Sequence, residues 1–108
     1  MDLLSFFTIS FNLGFVHLWQ EEKSSWQLVW ACLKNGKIKC QIDPRSKSQI
    51  IFELEISGGI KITEAARRRA NSFQLRDRFG KTIMAAPGKE DMAEWIHQIR
   101  THKTHLRR

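Results

Sequence analysis

The chain has 108 residues, of which 42% are apolar, including seven Phe and four Trp. This length and composition provide one hydrophobic core and exclude a second domain of comparable size. The net charge of +7, most of it in the second half, favours anionic partners such as acidic lipids, acidic proteins or nucleic acid, but equally suits simple solubility.

The apolar N-terminus does not have the pattern of a signal peptide or a membrane span. Asp2 stands where a basic leader is expected, and polar residues interrupt the apolar run. From Phe7 to Phe15, apolar and polar residues alternate with the two-residue period of a half-buried strand. We therefore expect residues 1–13 to form an added strand segment, with Gly14 permitting a bulge or bend before the strand continues to Trp19.

A hairpin follows, in which Asn35-Gly36 predicts a two-residue turn between the strands Trp26 to Leu33 and Lys37 to Ile42. Residues whose numbers sum to 71 then face each other across the hairpin. The pairs 33/38, 31/40 and 29/42 form one apolar face. Cys32 and Cys40 fall on opposite faces, so we expect no disulfide and a reducing, cytoplasmic location.

The remaining sequence predicts further strands and then a helix. Four segments with strand-like apolar residues are separated by Gly, Pro or polar loops: 50–56, 60–62, 73–75 and 81–86. From Lys89 the period changes to that of an amphipathic helix, whose apolar face carries Met92, Trp95, Ile96 and Ile99. The sequence thus predicts seven strands followed by one helix.

This order of elements resembles a pleckstrin-homology (PH) domain over residues 14–103. The motifs that carry the resemblance are G-F-V-H-L at 14–18, W-Q-L-V-W-A-C-L at 26–33, the turn K-N-G-K-I, F-Q-L-R-D, and A-A-P-G-K-E-D-M-A-E-W-I. The resemblance implies a mainly β fold, a seven-stranded bent antiparallel barrel or sandwich capped by the C-terminal α-helix. It also implies a structural role for Trp95, which plugs one end of the barrel. We expect residues 104–108 to form a basic, frayed tail.

The sequence departs from the family at its lipid site. Phosphoinositide-binding members of the family that this chain resembles typically carry a pattern like W-K-x-R-W in the second strand and a Lys late in the first strand. Here Gln27 and Val29 take the second-strand positions, and the first-strand position falls among His17, Leu18 and Trp19. An amide and an isopropyl group do not replace cations that bind phosphate. We therefore expect no tight headgroup binding at the usual mouth.

Other cations remain in loops that the resemblance places near one barrel end: Lys23, Arg45, Lys47, Arg78 and Lys81. They predict weak, salt-sensitive attraction to acidic phospholipids. Some family members use a second site between the first-to-second and fifth-to-sixth loops, and Arg67, Arg68 and Arg69 lie in the latter. A solvated loop is the favoured interpretation of this run, and a phosphate site is the alternative.

An apolar surface on the second strand favours a protein partner. Trp26, Leu28 and Trp30 lie on the hairpin face away from the core pairs, where a solvent-facing strand is normally polar. Either the N-terminal segment, Leu3 to Leu13, covers them, or a neighbouring domain or partner protein does. The intramolecular cover is the simpler interpretation.

Signals for other chemistry are weak. The sequence has no nucleophile motif, phosphate-binding Gly loop or catalytic carboxylate pair, and its four His have no ligand partners at metal spacing. We therefore expect no enzyme, cofactor or metal. The aromatic residues fall mostly at core-facing positions, which argues against nucleic acid.

Two functional hypotheses remain open. The first is a protein-interaction or scaffold module of a larger signalling or cytoskeletal regulator, monomeric as an isolated domain and with a degraded phosphoinositide pocket. The alternative is a peripheral membrane adaptor that binds phosphoinositides weakly, through a non-standard site.

Overall fold

The computed structural model describes residues 12–45, 49–65 and 69–106. These residues form seven strands and one long helix: β1 (Asn12–Gln20), β2 (Ser25–Lys34), β3 (Lys37–Gln41), β4 (Ile50–Glu55), β5 (Lys61–Glu64), β6 (Ser72–Asp77), β7 (Gly80–Ala85) and α1 (Lys89–Leu106). A single 3-10 turn, Glu21–Lys23, joins β1 to β2. The predicted seven strands and terminal helix are confirmed, and α1 continues to Leu106.

All seven strands belong to one antiparallel sheet in the order β4-β3-β2-β1-β7-β6-β5. Its edge strands are β4 and β5, which do not pair with each other, so the sheet is not closed into a barrel. The expectation of a barrel is corrected in this respect, because β5 has only four residues and its ladder runs along β6 alone. The sheet bends nevertheless, since Ile56 after β4 and Ile60 before β5 enter the same core cluster.

The β2–β3 hairpin has the predicted register over its first pairs. Leu33 pairs with Ile38 and Ala31 with Cys40, and the turn has positive φ at Asn35 (52°) and Gly36 (82°), as a two-residue hairpin turn of this type requires.

The predicted 29/42 pair is wrong. The ladder ends at Gln41, where the register with β4 shifts, and Ile42 is 57% exposed. Local hydrogen bonds replace the ladder there. The Gln41 side chain donates to the carbonyl of Arg45 at 3.0 Å, and the Arg45 backbone N–H donates to Asp43 Oδ1 at 3.0 Å.

Strand β1 is continuous through the position where a bulge was possible. Gly14 has a φ of +156°, yet the pairing with β2 runs without a shift from Asn12 opposite Leu33 to Gln20 opposite Ser25. The even-numbered residues Val16 and Leu18 face the core, and the odd-numbered residues face outward. We call the side of the sheet away from the core the outer face.

Helix α1 packs its predicted face on the core. Trp95, Ile96 and Ile99 are buried, and Met92 is half-buried against the same cluster. The end of α1 reaches the β2–β3 turn, because a Cβ added to Gly36 would lie 3.1 Å from Nε2 of His102. The helix therefore spans from the core to the hairpin tip.

The two cysteines are both free, and their strand positions place them on opposite faces. Cys32 is half-buried and pairs with Lys39, whereas Cys40 is buried and pairs with Ala31. Burial raises the pKa of the Cys40 thiol to about 12, since the thiolate loses its hydration in the core.

Candidate functional site

The end of the β1–β2 hairpin has no cation at the two positions that correspond to the family's W-K-x-R-W pattern. Gln27 accepts a hydrogen bond from Nε2 of Gln20 at 2.9 Å, and Val29 is fully buried in the core. Lys23 is exposed in the 3-10 turn that also carries Glu21 and Glu22. The inner side of this hairpin end therefore has no cation at these two positions, and Lys23 in the turn has acidic neighbours.

Arg45, in the β3–β4 loop, is held by Asp43. The guanidinium donates from Nε to Oδ1 at 3.0 Å and from Nη2 to Oδ2 at 2.5 Å. The hydrogen bonds from Arg45 lower the pKa of Asp43, so the carboxylate stays charged beside the cation. The pair leaves little net positive charge for a phosphate. Lys47 lies outside the described residues.

The β6–β7 turn places Arg78 beside acidic side chains. Asp77 Oδ1 accepts the backbone N–H of Phe79 at 2.8 Å and of Gly80 at 3.1 Å, and the Arg78 guanidinium lies 4.9 Å from the centre of the Phe79 ring. On the β4 side, this turn lines an open depression of ≈ 670 Å³. Glu53, Glu55 and Asp77 line it too, so the depression is unsuited to an anion.

The described residues show no hydrogen bond or ion pair that joins Lys23, Arg45, Arg78 and Lys81 to one another. A different set of cations does come together, because Lys81 lies opposite Arg76 on β6, and Arg76 lies opposite Lys61 on β5. Sequence reasoning named only Lys81. Extending the turn arithmetic from Arg78-Phe79 would have paired residues 76 and 81.

The β5–β6 loop reaches the outer face of β1 and β2. The Ser72 hydroxyl shares its hydrogen bond between the carbonyls of Ala65 (2.5 Å) and Arg69 (2.6 Å), which closes the loop. The Arg69 guanidinium lies 5.6 Å from the centre of the Trp26 ring. Burial, and secondarily the charge of Arg69, lower the pKa of His17. Arg69 therefore lies beside the β1–β2 end of the sheet, whereas Arg67 and Arg68 lie outside the described residues.

The outer face of β1 and β2 is apolar and partly exposed. Leu28 is 53% exposed. Trp30 meets Phe15 edge-on with 5.0 Å between ring centres, and Trp26 meets Trp19 at 5.3 Å. These contacts leave both second-strand Trp rings half-buried.

The first-strand side of this surface consists of Leu13, Phe15, His17 and Trp19, and sequence reasoning had named only Leu13, as part of the predicted cover. Trp19 also donates from Nε1 to the carboxylate of Glu21. The proposed cover, Leu3 to Leu13, lies outside the described residues except at its end. There Leu13 lies beside Cys32 on the outer face, 46% exposed, and extends the apolar surface.

The described parts of the chain, 12–45, 49–65 and 69–106, contain neither a membrane-spanning helix nor a cluster of metal ligands. Within them, no helix has both the length and the apolar composition needed to cross a membrane. No group of three or more His, Cys, Asp or Glu side chains in the same ranges is arranged to hold a metal ion.

Comparison with known proteins identifies the fold. No protein-family model and no curated protein sequence matches the chain. Among solved structures, the C-terminal PH domain of pleckstrin, in complex with an inositol pentakisphosphate, is similar with a TM-score of 0.72 and 15% identity, covering 82% of this chain and 90% of that one. The PH domain of human oxysterol-binding-protein-related protein 11 has a TM-score of 0.76 and 15% identity, covering 89% and 82%.

The Slm1 PH domain, in complex with phosphoserine, has a TM-score of 0.68 and 16% identity, covering 82% of this chain and 90% of that one. These similarities cover 82% to 89% of this chain, and identities of 15% to 16% show the fold alone. This chain has the pleckstrin-homology fold.

Proposed function

We propose that the chain is a non-catalytic binding module of a larger signalling or cytoskeletal regulator, and that its loop mouth does not hold an inositol phosphate tightly. The observation that carries this proposal is the neutral mouth. Gln27 is hydrogen-bonded to Gln20, Val29 is buried, and Arg45 is paired with Asp43. Phosphate clusters bind through charge-assisted hydrogen bonds from cations, and this mouth offers few of them.

A calorimetric titration with inositol 1,3,4,5-tetrakisphosphate tests the proposal. We expect no saturable binding in the micromolar range. Restoring a cation with Gln27→Lys, and releasing Arg45 with Asp43→Asn, should each increase the affinity about tenfold, the scale of one charge-assisted hydrogen bond. Ala93→Lys, which adds the same charge on an exposed position of α1, is the control and should change little. Tight, saturable binding by the unmodified chain would refute the proposal.

The binding surface that we assign to this module is the apolar outer face of β1 and β2. Leu13, Phe15 and Leu28 are each at least 40% exposed. Cations border this surface, since Lys39 lies opposite Cys32 and Arg69 lies over Trp26. Glu53 lies opposite Lys39, and Glu21 accepts a hydrogen bond from Trp19, so the border carries both signs of charge. The surface therefore favours a protein partner with a matching apolar centre and a mixed polar rim.

The double variant Phe15→Ser and Leu28→Ser tests this surface. Proximity labelling in cells identifies candidate partners, and each candidate is then titrated directly as a purified protein. We expect the double variant to lower the affinity at least tenfold, because exposed apolar side chains at the centre of a contact supply much of its free energy. Ala93→Lys should bind normally. Equal affinities of the double variant and the unmodified chain would place the contact elsewhere.

A further inference from the structure

Strand β4 forms an open edge of the sheet. It pairs with β3 along one side, and within the part of the chain that the structure describes no strand pairs with its other side. The register shift between Cys40 and Gln41 leaves Ile51 outside the ladder, whereas residues 52–55 pair with β3 without a shift. None of the β4 residues is buried. Backbone N–H and C=O groups on the open side of such a strand are a template for pairing with another chain, so residues 52–55 offer a regular edge.

An open depression of ≈ 670 Å³ follows this edge, lined on the β4 side by Glu53, Leu54 and Glu55. Successive side chains of a strand project to opposite faces of the sheet. A depression that touches all three residues therefore lies along the edge of the strand and not over one face. Phe79, in the β6–β7 turn, also lines it and is 85% exposed. The open edge thus borders a depression that contains an exposed aromatic ring.

The charge of this depression is opposite to the charge of the chain. Three carboxylates line it, those of Glu53, Glu55 and Asp77, and Arg78 is its one cationic lining residue, whereas the whole chain carries +7. The Arg78 guanidinium lies 4.9 Å from the centre of the Phe79 ring and still leaves most of that side chain exposed. The depression is therefore suited to a cationic group that contacts the open side of the ring.

The two carboxylates of β4 have cations on one side only. Glu53 lies opposite Lys39 on β3, and Glu55 lies opposite Lys37. The Nζ atom of Lys37 is also 3.2 Å from Oε1 of Glu53, and these two side chains remain 45% and 41% exposed. A strand added to β4 with cations at two alternate positions would place each carboxylate between two cations. Opposite charges on adjacent strands stabilise a sheet, so the edge favours a basic strand.

The core-facing side of the same edge is apolar. Phe52 and Leu54 pack against the core cluster and are only partly buried. Residues of an added strand that lie between its cations would project to this side. Apolar residues at those positions would remove Phe52 and Leu54 from water, which stabilises the complex.

We propose that the β4 edge binds an extended segment of a partner protein in which Lys or Arg alternates with apolar residues. The segment adds to the sheet as a further strand along residues 52–55, its cations meet Glu53 and Glu55, and one cation contacts the Phe79 ring. The site goes beyond the proposed function, because β3 separates it from the outer face of β1 and β2. A second copy of β4 is a poorer match, since this strand contains two carboxylates and no cation.

Fluorescence anisotropy with a labelled synthetic peptide in which Lys alternates with Val tests this site. We expect saturable binding that weakens as the salt concentration rises, and no binding of a matched peptide with Glu in place of Lys. The double variant Glu53→Gln and Glu55→Gln should lower the affinity about tenfold, the scale of two cross-strand ion pairs. Phe79→Ala should lower it about threefold, the scale of one exposed contact between a cation and a ring.

Methylation of the peptide backbone separates strand addition from attraction between charges alone. The N–H groups of an added strand point alternately toward β4 and away from it. Methylating the set that points toward β4 should lower the affinity at least tenfold, because it removes the ladder hydrogen bonds. Methylating the other set should retain binding within about threefold.

The matched control is the double variant Glu90→Gln and Glu94→Gln, which removes the same charge from exposed positions of α1. It should retain binding within about threefold, since distant charges are screened. The double variant Phe15→Ser and Leu28→Ser should also bind the Lys peptide normally. Thermal melts check that each variant is folded.

Four outcomes with the peptides would overturn the proposal. These are no saturable binding of the Lys peptide by the unmodified chain up to about 1 mM, equal binding of the Glu peptide, equal losses in the two Glu double variants, and equal effects of the two methylated peptides. Self-association of the chain that excludes the peptide would assign the edge to a second copy instead. None of these outcomes depends on the loop mouth or on the outer face of β1 and β2, so the proposals for those surfaces stand or fail separately.

Discussion

Replacing Trp95 by Ala removes the largest side chain that α1 contributes to the core. Trp95 is 2% exposed, so nearly all of its surface, about 200 Å² for a buried aromatic, is removed from water on folding. At about 25 cal/mol per Å² this burial is equivalent to about 5 kcal/mol, of which Ala retains about 1. We therefore expect Trp95→Ala to lower the free energy of unfolding by about 4 kcal/mol, which is within the range for large-to-small aromatic changes in cores.

Circular dichroism during urea and thermal unfolding measures this loss without depending on the deleted fluorophore. In a domain of this length, about 4 kcal/mol corresponds to a fall in the melting midpoint of about 20 °C. The control is Glu94→Ala, one residue earlier on the exposed side of α1, where we expect a change within about 0.5 kcal/mol. If Trp95→Ala loses less than about 1 kcal/mol, α1 does not pack on the sheet through this side chain.

Three further predictions concern the hairpin turn, the thiols and pH. Gly36→Ala should lower the free energy of unfolding by about 1–2 kcal/mol, because the residue has a φ of +82°, and Asn35→Gly, which keeps the turn geometry, should cost less in the same urea titration. At pH 8, a pKa of about 12 leaves about one Cys40 in ten thousand as thiolate, so a maleimide should modify half-buried Cys32 and spare Cys40 until urea unfolds the chain; equal rates would contradict the burial. Because the pKa of His17 is lowered in the folded chain, the unfolded chain binds a proton more readily, and the free energy of unfolding should fall as the pH decreases below 6.5. Urea titrations at pH 7 and pH 5 should show a smaller fall for His17→Gln than for the unmodified chain.

The sequence by itself determined the elements whose signals are local. The Asn35-Gly36 turn fixes which residues of β2 and β3 face each other, because a two-residue turn leaves one register. The apolar period of α1 identifies Trp95 and Ile99 as core residues, since only one face of a helix meets the sheet. The absence of a cation at positions 27 and 29 could also be read from the sequence, because it depends only on the residue types Gln and Val.

The sequence reasoning failed where a local signal competed with turn chemistry or depended on chain closure. Alternation carried β3 one residue too far, to Ile42, because it does not register the hydrogen bonds that Gln41 and Arg45 make around Asp43. The resemblance to a barrel did not show that β4 and β5 do not pair with each other. Strand pairing between residues distant in sequence depends on the bend of the whole sheet, which has no periodic signature.

Only the tertiary structure decided which charges and rings meet. It placed Arg69 over Trp26, although 43 positions separate them, and it aligned Lys61, Arg76 and Lys81 into one row. A side chain's residue type fixes its charge, but its neighbours are set by register and by how a loop folds back on the sheet. For that reason the sequence determined that this chain is a basic, mainly β domain with no cation at positions 27 and 29, and the fold determined where its positive charge is concentrated.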